Sequence, residues 1–486
     1  MYRWKSAILL GLLFVVAAVG GGTAGNGGTA HAATTRVWTG LSSLNWNTAA
    51  NWDPVGVPVA GDSVVIGAAA LDKTLNNNLP VDLALASLTI NTRLKITGNR
   101  LGISSAIQTG SVGITLDLPI VLKGDVEAAL GPVGRLVMRP PSSLPGTVAL
   151  DMAGHTLTVT SGDGLEFNGD LVGSGILAAK AGSVHFVYPV TFGGKITASP
   201  GAGLLFSSSF PVQNVCGGAP NAAIVLTGAF FFTNCPTSVG SIAGSGTIEL
   251  SSANARLFAE IGETFDGPIK GTPPAGFYCC TSGVQTLRGA STLTGNVFVT
   301  GGSLYLDGAT FPPASQFAAR GKGAFPATLG GYGTFGETIL TTSVLDLAPV
   351  GDKYGLARFP TLQFAPDVEV YYELSGPTPG TGFTQILMTG QLVLDSALLN
   401  LNFTGYTPAI GQAITLVKGA TALLDTFHNF DDGKDLPEGS TFTTSGMQFK
   451  ITYTAGAGHD VVITRVAGTP PPPAKFKRFV PMVARD

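Results

Sequence analysis

Apolar and polar residues alternate in short runs along most of this chain, from about Leu75 onward. Leu88-Thr89-Ile90 and Leu94-Lys95-Ile96 place apolar side chains at every second position. This period of two is typical of a half-buried β-strand. Between residues 75 and 350 no run has the period of a helix, so the pattern predicts an all-β protein.

A Gly-x-Gly turn between two apolar pairs recurs at 171–177, 242–248 and 329–335. Glycine reaches positive φ without a Cβ clash, so such a turn can form a tight corner between short strands. A Thr-Phe-x-Gly echo follows the first two turns after roughly 20 residues, the length of about one coil of a β-helix. The repeats therefore predict a right-handed parallel β-helix, a β-solenoid, over residues 75–350.

The N-terminus has the features of a secretory signal. Arg3 and Lys5 precede an apolar run over 7–19, which is shorter than the ~20 residues of a spanning helix. Ala30-His31-Ala32 is a small-x-small cleavage pattern. We predict a cleaved signal over 1–32 and no transmembrane span in the mature chain; an uncleaved membrane anchor is the alternative.

Three tryptophans follow the signal closely, Trp38, Trp46 and Trp52. One interpretation is an N-terminal cap over residues 33–74, because a solenoid must cover the open end of its core. The other is a glycan platform, on which exposed indole rings stack against sugars. We favour the cap.

The four cysteines are Cys216, Cys235, Cys279 and Cys280. Disulfides are expected in an exported chain, and four cysteines allow three pairings. Cys216 with Cys235 and Cys279 with Cys280 is one arrangement, and crossed pairing between the two sets is its rival. We expect structural bonds rather than a zinc site, because C-x2-C spacing and a nearby histidine are missing.

The order of motifs resembles secreted bacterial β-helix proteins with autotransporter-type, passenger-associated strand repeats. The resemblance lies in the tryptophan segment, the Gly-x-Gly turns, and a C-terminal series at 380–386, 406–411, 436–442 and 449–463. It implies a strand-rich module over 351–467 that closes the solenoid. Members usually have Asp-Gly-Asn-Asp where this chain has Ala-Gly-His-Asp at 457–460, which removes one carboxylate.

The last residues, 468–486, form a proline-rich linker and a basic, apolar tail. The tail is interpreted either as a sorting or attachment signal, as the resemblance implies, or as a disordered end.

The sequence contains few candidates for a binding, metal or catalytic site. A formal net charge of −3 argues against nucleic-acid binding, which needs a basic face. The acidic stretch from Asp425 to Glu438 could bind a cation but is better explained as a solvated loop. A single Gly-x-Gly-x-Asp motif at 456–460 is better explained as a hairpin turn. His155 and His185 are expected to be structural. We predict no metal, no cofactor and no catalysis.

These observations together predict an exported structural or adhesive protein at the cell surface or outside the cell. Its partners would be cell-surface or matrix glycans or proteins. The alternative is a carbohydrate-active protein, either a glycan-binding module that uses the three tryptophans or a polysaccharide lyase or hydrolase with its site on the solenoid flank.

Overall fold

The computed structural model describes residues 32–467 with six gaps, at 111–112, 132–134, 141–145, 162–163, 208–216 and 322–325. The predicted signal sequence up to residue 31, the tail at 468–486 and Cys216 lie outside the described residues.

The described residues form one continuous β architecture, a parallel β-solenoid of about 13 turns. Neighbouring coils pair in parallel, with the register kept within most strand pairs and shifted at a few bulges. Two 3₁₀ helices, Ala49–Asn51 and Ala68–Ala70, lie near the N-terminal end. The all-β solenoid predicted from the alternating pattern is confirmed. No helix in the described ranges has the length and apolar character needed to cross a membrane.

The strands follow one another at short intervals. In the first third they are β1 (Thr35–Trp38), β2 (Trp52–Asp53), β3 (Ser63–Ile66), β4 (Thr74–Asn77), β5 (Leu83–Ile90), β6 (Leu94–Gly98), β7 (Leu101–Thr109), β8 (Ile114–Asp117), β9 (Ile120–Leu122), β10 (Val126–Ala129), β11 (Arg135–Met138), β12 (Val148–Asp151), β13 (Thr156–Ser161), β14 (Gly164–Phe167) and β15 (Asp170–Val172). In the middle they are β16 (Ile176–Ala179), β17 (Gly182–Phe186), β18 (Lys195–Ala198), β19 (Ala202–Phe206), β20 (Ala219–Thr233), β21 (Pro236–Leu250), β22 (Arg256–Ile261), β23 (Thr264–Phe265), β24 (Ile269–Gly271), β25 (Gly276–Ser282), β26 (Val284–Leu287), β27 (Thr292–Leu293), β28 (Asn296–Val299), β29 (Ser303–Thr310) and β30 (Gln316–Arg320). In the last third they are β31 (Ala327–Thr334), β32 (Glu337–Thr341), β33 (Ser343–Asp346), β34 (Leu356–Phe359), β35 (Leu362–Phe364), β36 (Glu369–Leu374), β37 (Gln385–Met388), β38 (Gln391–Val393), β39 (Leu398–Phe403), β40 (Ala413–Lys418), β41 (Ala422–Leu424), β42 (His428–Asn429), β43 (Thr441–Thr444), β44 (Met447–Ala455) and β45 (Asp460–Ala467).

The Gly-x-Gly turns share one backbone conformation. Gly173 and Gly175 have φ of 85° and 123°, and the corresponding pairs at 244/246 and 331/333 have 87°/141° and 86°/138°. A Cβ on Gly175 would collide with the carbonyl oxygen of His155 in the coil before. Positive φ and this close approach together require glycine, so the repeated motif marks a repeated corner.

The core is a set of side-chain stacks that run through successive coils. Phe167, Phe186, Phe206 and Phe231 lie one above another, with ring centroids 5.6, 4.7 and 5.1 Å apart and near-parallel planes. All four rings are buried. Because each coil repeats the inward positions of its neighbour, the apolar side chains that alternate along the sequence become continuous ladders.

The two ends of the solenoid are closed differently. At the N-terminal end, Trp38 and Trp46 each make an edge-to-face contact with Trp52, with centroids 5.0 and 5.6 Å away. At the C-terminal end, parallel pairing continues past residue 350 through β36, β39 and β42. Antiparallel pairing enters where β45 pairs with β40 and with β44, which in turn pairs with β43.

We expect Trp46→Ala to destabilise the N-terminal end. Trp46 is fully buried and its carbonyl oxygen accepts a hydrogen bond from the Trp52 indole N–H at 2.8 Å. Truncating a buried tryptophan costs about 3–5 kcal/mol. Denaturant unfolding followed by fluorescence checks this, because the other two described tryptophans report on the same end.

Leu41→Ala is the matched control, since Leu41 lies in the same segment but is 83% exposed and should leave the unfolding midpoint unchanged. Equal midpoints for Trp46→Ala and the native chain would contradict the capping role.

Candidate functional site

The three N-terminal tryptophans, interpreted from the sequence as a cap or alternatively as a glycan platform, are packed together inside the fold. Trp38, Trp46 and Trp52 are 2%, 0% and 1% exposed, and their rings contact one another rather than solvent. Stacking on a sugar requires an accessible ring face, so the three rings have the geometry of an end cap. Their closeness in the fold makes the three aromatic side chains one buried cluster.

The cysteines in the described residues are all oxidised. Cys279 and Cys280, adjacent in β25, are bonded to each other. Cys235 is also disulfide-bonded, and Cys216 lies outside the described residues. Cys235, Cys279 and Cys280 are all buried.

Several side chains of the acidic stretch near the C-terminal end have hydrogen-bond or ion-pair partners. Asp432 accepts a hydrogen bond from Asn429 and lies 2.7 Å from Lys434 Nζ, and Asp435 accepts one from Thr426. No group of three or more His, Cys, Asp or Glu side chains in the described residues is arranged to hold a metal ion. The turn at 456–459 joins β44 to β45 antiparallel, so the hairpin prediction is confirmed.

An outward-facing apolar row runs along one flank of the solenoid. The parallel register aligns Phe258 with Tyr278, Phe298, Ala318 and Ile339 in five successive coils, and we call these five residues the apolar stripe. None of them is buried, and Ile339 is 51% exposed. At the ~4.8 Å spacing of paired strands, the stripe extends about 19 Å along the rod.

The rings of the apolar stripe lie against one another. The Phe258 and Tyr278 centroids are 4.9 Å apart in a stacked arrangement, and Tyr278 and Phe298 are 5.9 Å apart and tilted. The guanidinium of Arg256 lies 6.0 Å from the Tyr278 ring centroid. One face of Tyr278 is therefore stacked on Phe258, and Phe298 lies tilted beside the ring.

Polar residues border the stripe. Two positions before the stripe residues along each strand, the aligned row contains Arg256, Gly276, Asn296, Gln316 and Glu337. An apolar centre with a polar rim is the usual arrangement of a contact surface between proteins.

A groove of about 550 Å³ opens on another part of the surface, across β17, β19, β20 and β21. The register aligns Ser183, Gly203, Phe230 and Thr247 across it. Gly203 has no side chain between Ser183 and Phe230, which leaves a depression beside the Phe230 ring. Phe230 is 37% exposed and forms an apolar wall.

Three polar residues from successive coils, Glu166, His185 and Ser207, lie close together beyond the groove. Glu166 in β14 aligns with His185 in β17, and the Glu166 Oε2 to His185 Nδ1 distance is 3.4 Å. On the other side of the ring, His185 Nε2 lies 2.5 Å from the hydroxyl oxygen of Ser207, the residue that follows β19. The Ser207 N–H donates to the Phe186 carbonyl at 3.2 Å, which holds Ser207 beside His185.

The Glu166 carboxylate is held in its ionised form. The contact with His185 and the positive charge of Arg135, whose Nη1 donates to Oε2, lower the pKa of Glu166, although burial opposes this. Glu166 is 8% exposed, so its partners replace most of the water that would otherwise solvate the charge.

A second polar cluster on the flank has its hydrogen-bonding groups paired. The Asp307 carboxylate accepts from the Tyr332 hydroxyl at 2.5 Å and from Arg288 Nε at 2.7 Å. Burial and this carboxylate raise the pKa of Tyr332 to about 12. The arrangement links three coils and is a structural staple.

Sequence reasoning missed both the apolar stripe and the association of Ser207 with His185 and Glu166. The available signal was spacing: each residue of these sets lies about one coil after the one before it. Degenerate repeats and loops of unequal length obscure the register, so the alignment becomes visible only in the structure.

Replacing Glu166 by Gln should reduce stability in a pH-dependent way. Since the folded pKa of Glu166 is lowered from 4.5, the stabilisation is present above that pH and is lost as pH falls through the folded value. We expect the free energy of unfolding of the native chain to exceed that of Glu166→Gln by about 1–3 kcal/mol at neutral pH. Urea unfolding at a series of pH values measures the difference, and a difference that does not shrink in acid would contradict the ionised pairing.

No family model and no curated protein matches the chain. Among solved structures, the chain is similar to the crystal structure of the Haemophilus influenzae Hap adhesin, with 12% sequence identity and a TM-score of 0.20. The match covers 84% of this chain and 63% of that one, so the chain spans less than two thirds of the length of the Hap structure.

Proposed function

We propose that this chain is an exported structural or adhesive protein that uses its β-solenoid as a rigid support for a contact surface. The observation that carries the proposal is the apolar stripe, which the coil register assembles from residues far apart in sequence. Exposed apolar residues that form a contiguous patch mark interaction sites more often than scattered ones do.

A rigid support suits this role. Parallel ladders and stacked rings hold each stripe residue at a position fixed by the coils on either side, so little conformational freedom is lost on binding. The closed ends support the same role, because uncovered strand edges would recruit further chains and lead to aggregation.

The geometry of the stripe favours a protein surface as its partner over a glycan. Sugar recognition by aromatic residues uses the open face of a ring, and the Tyr278 ring is stacked on Phe258 and crowded by the tilted Phe298 ring. Ring edges, the Ala318 methyl group and the Ile339 side chain instead offer a narrow apolar ridge, which fits an apolar depression on a protein.

Location outside the cell or at the cell surface is part of the proposal. It is supported by the signal-like N-terminus in the sequence and by the oxidised cysteines, since disulfides persist in oxidising compartments.

The stripe is tested by Ile339→Asp in the purified full-length chain coupled to beads. We expect binding of the beads to cells or to surfaces coated with matrix proteins to weaken about tenfold or more, because burying an isoleucine side chain contributes about 1.5–3 kcal/mol. Glycan-coated surfaces are included as a separate arm.

Ile261→Asp is the matched control, because Ile261 is 52% exposed and lies outside the stripe. It should bind as the native chain does. Equal losses for the two variants would show that the stripe is not the contact, and no binding of the native chain to any surface would overturn the proposed function.

A further inference from the structure

We propose that Ser207, His185 and Glu166 form a nucleophilic site that cleaves carboxylic esters with apolar acyl groups. This inference goes beyond the proposed surface role and does not depend on it. If it is correct, the expectation of no catalysis is wrong.

The contacts follow the order that acyl transfer requires. A serine hydroxyl is a weak nucleophile until a neighbouring base accepts its proton, and the base needs a third group to orient it. Here Ser207 Oγ lies 2.5 Å from His185 Nε2, and Glu166 Oε2 lies 3.4 Å from His185 Nδ1. Nucleophile, base and orienting carboxylate therefore lie on the two correct sides of one imidazole ring.

His185 has one ring nitrogen available for a catalytic hydrogen bond. His185 Nδ1 is buried and makes no well-aligned hydrogen bond within the described part of the chain, and the group that faces it is the Glu166 carboxylate. Catalytic hydrogen bonds are often long in a free enzyme and shorten when substrate binds. Arg135 keeps the carboxylate ionised, so it can stabilise an imidazolium once His185 takes the serine proton.

The surroundings indicate the class of substrate. In the parallel register His185 aligns with Leu205, and Leu205 aligns with Phe232. The Phe232 ring centroid lies 6.2 Å from that of Phe230, the wall of the groove. An acyl chain attached to Ser207 would pass over these apolar side chains. It would enter the groove about 13 Å away, which is four residue spacings along the strand. This path suits a medium-length apolar acyl chain.

The reaction uses only the ester and water. Ser207 Oγ attacks the carbonyl carbon while His185 Nε2 takes the hydroxyl proton. The bond to the alcohol oxygen then breaks, and the same proton passes to the departing alcohol. Water attacks the acyl-serine with His185 as base, which releases the carboxylic acid and restores the serine. Ser207 and His185 act on reacting atoms, whereas Glu166 is a positioning residue.

The test is labelling of the purified full-length chain by a fluorophosphonate probe, together with hydrolysis of p-nitrophenyl octanoate. We expect the native chain to be labelled at Ser207, as shown by peptide mass spectrometry. Ser207→Ala should lose both activities, and His185→Gln should slow them about 10²–10⁴-fold. Ser282→Ala is the control, because Ser282 is an exposed serine of β25 outside the groove, and it should keep labelling.

Glu166 is tested through the pH dependence of labelling, which a merely structural role would not change. In Glu166→Gln the pH of half-maximal labelling should fall, because the imidazolium loses its anionic neighbour, and Glu166→Asp should restore it in part. Gly203→Val, which fills the groove, should slow hydrolysis of the octanoate ester but not labelling by a small phosphonate.

Circular dichroism confirms folding of each variant. Absence of labelling in the folded native chain would overturn the site, as would equal labelling of Ser207→Ala and the native chain.

Discussion

Each coil places its inward side chains directly on those of the coil before it, at the roughly 4.8 Å spacing of paired parallel strands. This in-register stacking is the constraint on which the other features depend. It aligns Phe167, Phe186, Phe206 and Phe231 in the core. It equally aligns the outward residues, because alternate side chains of a strand point to opposite faces. A shift of one residue in any coil would exchange the two sets.

The same constraint explains how residues distant in sequence become neighbours on the surface. Glu166, His185 and Ser207 come from successive coils, as do Phe258, Tyr278 and Phe298. The corner glycines preserve the register, because each coil must turn with the same backbone geometry for the next to pair with it. Strands thus carry all five residues of the apolar stripe as well as Glu166 and His185, and Ser207 directly follows β19.

Much of the fold could be predicted from the sequence. Alternation near Leu88 and Leu94 indicated strands, and the Gly173 turn indicated a repeating corner. The surface could not be predicted, because the coil length varies and a small error in register aligns the wrong residues. The tryptophans show a second limit: a row such as Trp38, Trp46 and Trp52 is compatible with burial or exposure until the packing of the chain end is known.

Disulfide trapping of the register tests the account most directly. Ala318 and Ile339 are aligned outward-facing neighbours in adjacent coils, and strand spacing places their Cα atoms within disulfide range. The Ala318→Cys/Ile339→Cys double variant should form a bond under mild oxidation, whereas Ala318→Cys with Gln363→Cys, two coils apart, should not. Bond formation in the second pair but not in the first would contradict the stacked, in-register solenoid.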